Sequence, residues 1–241
     1  MRVIITGGGR GGTTWLYEIV KAGNNNFVYL PGNEDHEMFQ RKLPESYINK
    51  MAFENHQHIE GGYVQNINTY MGRYPDLKII ISIRHPIDHI LSKMVRGSDH
   101  PIHGYGAADD GTLVGAISTV FFAFKMKDYL IEKYKDRVLI IKLEDMVSNI
   151  QNEVNKIAAF IEVEPNDIML NAYHNIKNKH HIRTNNAEKI HQDRMNLFER
   201  PYQVYDEFFK DKSDIINIIY SNNDIKMLCD KNEYQWPGVH D

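Results

Sequence analysis

Ten residues near the start of the chain, Gly7-Gly8-Gly9-Arg10-Gly11-Gly12-Thr13-Thr14-Trp15-Leu16, follow directly on the apolar run Val3-Ile4-Ile5 and have the make-up of an anion cradle. Glycines let a backbone turn sharply and bring its amides close to an anion, and a helix opening at Thr13 aims its unpaired N–H groups and positive dipole end at the same point. Arg10 adds a fixed charge, and Thr13 and Thr14 add hydroxyl donors. The phosphate loop of nucleotide hydrolases, G-x-x-x-x-G-K-[ST], is nearly met: Gly7 and Gly12 hold its glycine positions, but Thr13 stands where the lysine belongs. Such a loop can cradle phosphate without being built for ATP hydrolysis. The competing description is a plain glycine-rich turn joining a strand to a helix.

A second constellation lies further along. Leu77 to Ile83 (LKIIISI) is a continuous apolar, β-branched run of the kind that forms a buried parallel strand, and Arg84 follows at its carboxyl end. Pro86 sits at the favoured first-turn position of a helix. Ile87, Ile90, Leu91, Met94 and Val95 then recur with helical spacing, so one face is buried, and Ser92 lies off that stripe. An arginine at a strand tip and a serine on the next helix can converge in the crevice where open α/β sheets bind ligands.

With both segments in order, the chain resembles the sulfotransferase family, whose sulfuryl donor is 3′-phosphoadenosine-5′-phosphosulfate (PAPS). Arg10-Gly11-Gly12-Thr13-Thr14-Trp15-Leu16 fits the family's 5′-phosphosulfate loop, [KR]-[SG]-G-T-T-W-L, at each position. Arg84 and Ser92 in RHPIDHILS stand as the arginine and serine of its 3′-phosphate motif. Arg137 to Phe160 resembles the family's late strand, acidic turn and helix. The resemblance implies that Arg10 takes the place of the catalytic basic residue, usually lysine, which contacts the bridging oxygen of the leaving phosphate. Arginine cannot in practice donate a proton, so its implied role is charge stabilisation and positioning. By the same resemblance Gly11, Gly12, Thr13 and Thr14 bind the 5′-phosphosulfate, Trp15 packs near the adenine, and Arg84 with Ser92 holds the 3′-phosphate.

The acceptor hydroxyl needs a base. The acidic cluster Asn33-Glu34-Asp35-His36-Glu37 occupies the region where several members carry a catalytic glutamate. Glu34 is the first choice, because Glu34-x-His36 resembles a pattern of glycan-modifying members, and His36 is the alternative, by analogy with small-molecule members. A solvated turn would also explain this cluster. Lys177 to Arg194 falls where the family places a late loop over the nucleotide, with His181, Arg183 and Arg194 as candidate contacts.

Composition narrows the function classes. The 241 residues include 42% hydrophobic ones and suit one compact α/β enzyme, so a single domain spanning 1–241 is expected, with a helical part from about residue 195. A net charge of −4 with scattered basic residues argues against nucleic-acid binding as the main task. One cysteine, Cys229, allows no intramolecular disulfide and points to a reducing cytoplasm. With a strand expected to start at Arg2, no secretory signal is expected, and no apolar stretch approaches the roughly 20 residues that cross a bilayer. The twelve histidines show no metal-ligand spacing, and no G-x-S-x-G elbow is present. The acceptor is expected to be a small molecule or glycan, and no metal cofactor is expected.

The elements that must position these residues read as a three-layer α/β sandwich with a mainly parallel central sheet, P-loop NTPase-like. Strands are expected near Val3, at Phe27 to Leu30, at Gly62 to Val64, at Leu77 to Ile83 and at Val138 to Leu143. Helices are expected at Thr13 to Lys21, Leu43 to Ala52, from Pro86 and over Thr112 to Lys135, with Ser98 to Gly111 as a long loop. Ser148 and Gln151 form a capping-box pattern for the next helix, and Pro201 to Phe209 and Ser213 to Leu228 read as closing helices. Two rivals fit parts of this pattern: a small-molecule kinase, which leaves Arg84 and Ser92 unexplained, and a non-catalytic nucleotide-binding member, which leaves the acidic cluster idle.

Overall fold

The computed structural model describes residues 1–9, 11–29, 38–53, 62–99, 112–179 and 213–236. The chain divides into two compact units, one of residues 1–83 and 122–182 and the other of residues 84–121 and 183–241.

The first unit holds the sheet. Its strands are β1 (Arg2–Gly7), β2 (Tyr47–Ala52), β3 (Leu77–Ile83) and β4 (Val138–Lys142), in the order β2-β1-β3-β4. Every pairing is parallel, and the register sets Gly7 beside Ala52 on one side and Ser82 on the other. Val3, Ile4 and Ile5 in succession, and Ile79, Ile80 and Ile81 in succession, are at most 1% exposed, so both faces of these strands are covered. That is why they are written as unbroken apolar runs rather than as alternations.

Helices α1 (Thr13–Gly23), α2 (Gly62–Arg73), α5 (Leu143–Ser148), α6 (Ile150–Phe160) and α7 (Asp167–Lys179) complete the unit, and the division between units falls within α4 (Leu113–Tyr134). The buried stripe Leu16, Ile19 and Val20 of α1 belongs to the core, and α1 packs on α7. Gly23 lies against Ile161 and Met169, the approach that brings α7 onto the end of α1. Tyr70 of α2 donates its hydroxyl to the carbonyl of Met38, and the Tyr74 hydroxyl accepts the Leu43 amide at 2.9 Å, so α2 ties down the chain leading into β2.

The second unit contains α3 (Pro86–Asp99), α8 (Ser213–Tyr220) and α9 (Asn223–Lys231), with α9 packed on α3. Asn222 caps α9 by accepting the amides of Asp224 and Ile225.

Several expected elements are corrected. Leu43 to Ala52 is not helical: its second half is β2, where pairing to the central strand overrides local propensity. Gly62 to Val64 is the first turn of α2, not a strand. Of Phe27 to Leu30, the described residues make a single parallel bridge, Val28 to Tyr47, rather than a strand. Ser148 ends α5, and Asn149 is the residue that caps α6, accepting the Asn152 amide at 3.2 Å. The helix expected over Ser213 to Leu228 is broken at Ser221-Asn222 into α8 and α9. Helix α7 had no counterpart in the sequence reading. The Pro201 to Phe209 helix and most of the Ser98 to Gly111 loop lie outside the described residues.

Candidate functional site

The glycine loop is built between β1 and α1. Gly7 ends β1 with φ 148° and Gly12 precedes α1 with φ 95°, both in the region that favours glycine. A Cβ on Gly7 would stand 2.3 Å from the Ser82 carbonyl oxygen, and one on Gly12 would stand 2.7 Å from Leu143 Cδ1. Gly7 is therefore required by close packing against backbone as well as by conformation, and Gly12 chiefly by conformation, since the Leu143 tip can turn aside. Gly11 donates its amide to the Gly8 carbonyl at 2.9 Å, closing the turn, and the Ser82 hydroxyl donates to the Gly11 carbonyl from β3.

Among the described residues, the start of α1 suits an anion. No side chain caps it and no acidic residue stands in its first turn. Trp15 and Leu16 return their amides to the Gly12 carbonyl, at 3.0 and 3.3 Å. Helix geometry directs the amides of Thr13 and Thr14 outward along the axis toward the loop.

Lys50 joins this group from β2. Its Nζ donates to the Thr14 hydroxyl at 3.1 Å, which sets an ammonium beside the first turn of α1. Lys50 is hidden at the level of sequence because Leu43 to Ala52 reads there as a helix. The available signal was a single cation, beside the amide of Asn49, in the mostly apolar run Tyr47-Ile48-Asn49-Lys50-Met51-Ala52. Ser82 was missed for a similar reason, being one small polar residue inside the strand Leu77 to Ile83. Trp15 is buried, and its ring meets Tyr173 of α7 edge-on at 5.3 Å.

The second unit carries Arg84 and Ser92, which are 5% and 3% exposed. Arg84 pairs with Asp88 at 3.6 Å, one turn into α3. His85 is buried as well, and burial, opposed by its bond to the Gln235 carbonyl and reinforced by the Arg84 charge, lowers its pKa to about 4. The Asp88, His89, Ser92 and Lys93 side chains are all buried, so α3 carries a polar stripe at its amino-terminal half besides its apolar one.

Gly11, Gly12, Thr13, Thr14 and Trp15 thus come together in the first unit, and in the second Arg84 lies just before α3 and Ser92 within it. Arg10, Glu34, His36, His181, Arg183 and Arg194 lie outside the described residues. Among the described residues no group of three or more His, Cys, Asp or Glu side chains is placed to hold a metal ion, and no helix is long and apolar enough to cross a membrane.

Comparison with known proteins completes the picture. No curated protein matches the chain. Among solved structures, the chain is similar to mouse sulfotransferase SULT7A1 complexed with PAP, with 17% identity and a TM-score of 0.57 over 76% of this chain and 67% of that one. It is also similar to the sulfotransferase domain from the curacin biosynthetic pathway, with 12% identity and a TM-score of 0.51 over 71% of this chain and 77% of that one. These likenesses establish a shared α/β fold of the P-loop-like kind. The sequence pattern of the sulfotransferase domain matches residues 1–203, and the chain belongs to the sulfotransferase family.

Proposed function

We propose that this enzyme moves a sulfuryl group from PAPS to an acceptor hydroxyl, of a carbohydrate or a small alcohol, by direct in-line transfer. The observation that carries the reading is the β1-to-α1 loop, whose two packed glycines open a helix with no cap and no acidic first turn, beside the Lys50 ammonium. That arrangement suits a phosphosulfate, and the lysine of a nucleotide hydrolase is replaced by Thr13. The similar mouse sulfotransferase was solved with PAP, which supports the same donor here.

In this reading Gly11, Gly12, Thr13, Thr14 and Lys50 hold the 5′-phosphosulfate, Trp15 lies next to the adenine, and Arg84 with Ser92 holds the 3′-phosphate. The acceptor oxygen attacks sulfur, the bond from sulfur to the bridging phosphate oxygen breaks, and PAP departs. Glu34, or His36 in its place, receives the acceptor proton, and Arg10 stabilises charge on the leaving oxygen. The scheme depends on alignment and electrostatics, as phosphoryl transfer does, and invokes no metal ion. A single catalytic domain over residues 1–241 and a cytoplasmic site of action, the latter on the strength of the lone Cys229, belong to the same proposal.

The test is calorimetric titration with PAP beside ADP and ATP, on the wild type and Arg84→Ala. A preference for PAP that the variant loses is expected. Equal or tighter ATP binding would overturn the reading in favour of a kinase.

A further inference from the structure

His85, between Arg84 and Pro86, has both ring nitrogens engaged. Nδ1 accepts the Ile87 amide at 3.3 Å, and Nε2 lies 2.9 Å from the Gln235 carbonyl oxygen. A carbonyl only accepts and an amide N–H only donates, so the ring is the neutral tautomer with its proton on Nε2. Its edge also meets the Tyr234 ring, 5.0 Å between centroids at 66°.

The partner segment is itself fixed. Tyr234 returns its amide to the Cys229 carbonyl at 3.0 Å, and the Asn232 side chain donates to the Leu228 carbonyl at 2.7 Å, so the turn after α9 is held to the helix that packs on α3. One imidazole therefore links the first turn of α3 to a segment almost 150 positions later, next to the arginine assigned to the donor.

We infer that His85 is a positioning residue for the donor's 3′-phosphate: the Tyr234-Gln235 segment, acting through His85, fixes the backbone at Arg84 and with it the direction of the guanidinium. The inference rests on the donor reading above, in which Arg84 binds that phosphate. An arginine has many rotamers and recognises phosphate through a rigid fork, so anchoring its backbone and first turn decides how much of the charge-assisted bond is realised.

Full-length protein is titrated with adenosine 3′,5′-bisphosphate and with 5′-AMP, which differ only in the 3′-phosphate. His85→Asn keeps an acceptor for the Ile87 amide but is too short to reach Gln235, whereas His85→Gln carries an amide donor to that carbonyl. Tyr234→Ala removes the ring contact in the same chain. His85→Asn and Tyr234→Ala are expected to lower the ratio of the two affinities about tenfold with 5′-AMP binding unchanged, and His85→Gln to restore most of it. A ratio that stays at the wild-type value in His85→Asn, or a fall in both affinities by the same factor, overturns the inference. If the wild type does not prefer the bisphosphate, or Arg84→Ala leaves the ratio intact, the donor reading itself fails and the inference falls with it. Loss of the ratio in Arg84→Ala but not in His85→Asn removes the inference alone.

Discussion

The carbonyl oxygen of Ser82 lies 2.3 Å from where a methyl group on Gly7 would stand. That oxygen belongs to the backbone of β3, paired to β1, and cannot step aside without opening the ladder. Gly7→Ala is expected to lose more than about 3 kcal/mol of stability or to fail to fold. Gly12 faces the tip of the Leu143 side chain, which can turn, so Gly12→Ala carries mainly the strain of its left-handed backbone, about 1–2 kcal/mol. Urea unfolding of the two variants checks the ranking, and a milder loss for Gly7→Ala would contradict it.

Ser82 also reaches into the loop with its side chain, donating to the Gly11 carbonyl. Ser82→Ala removes the donor and leaves a buried carbonyl, at a cost of about 1–3 kcal/mol. PAP affinity should fall several-fold because the turn carrying the amides is released. Paired unfolding and titration measurements read both effects, and a destabilised variant with undiminished PAP affinity would show that the loop is held by other contacts.

Lys50→Met keeps the long stem and removes the ammonium beside Thr14. With the charge-assisted bond proposed to the donor's 5′-phosphate lost, PAP affinity should drop about tenfold or more. Folding stability should change by less than about 1 kcal/mol, since the lysine is only half-buried in β2. The salt dependence of PAP binding should also flatten, because one cation fewer faces the anion. Unchanged affinity at low salt would remove Lys50 from the site.

Legibility of the fold followed how locally each signal was written. β1, β3, α3 and β4 could be read because unbroken apolar runs and helical spacing mark buried strands and one-sided helices without reference to anything distant. The glycine loop was legible because positive φ demands glycine at Gly7 and Gly12, and at Gly7 the β3 backbone leaves no room for a side chain either. β2 was not, since Tyr47 to Ala52 contains Asn49 and Lys50, and only its pairing with β1 makes it a strand. Lys50 went unnoticed with it, because its value depends on lying across from Thr14. The link from His85 to Gln235 joins residues 150 positions apart, neither of a special type, and no local pattern encodes it.

Glu34 and His36 are separated by their kinetics rather than by binding. Glu34→Gln preserves shape and removes the proposed base, so transfer from PAPS to a hydroxyl acceptor should slow by about 10²–10⁴ while PAP affinity stays put. His36→Gln should retain most activity. A panel of sugar, alkyl and phenolic hydroxyls supplies the acceptor, and the reverse ranking of the variants would make His36 the base.

The neutral, doubly bonded His85 gives the fold a pH signature. Its pKa falls from 6.5 to about 4, first through burial, so between those values the unfolded chain takes up a proton that the folded chain refuses. Stability from this group is complete above pH 6.5 and is lost progressively as pH falls toward 4, where the folded imidazole begins to protonate as well. A shift of that size corresponds to roughly 3 kcal/mol. Unfolding free energies of wild type and His85→Gln at intervals from pH 7.5 to about pH 4 isolate the contribution, because carboxylates common to both cancel in the difference. The wild type should lose more stability than the variant across this window, and parallel curves would show that the folded protein protonates His85 as readily as the unfolded chain does.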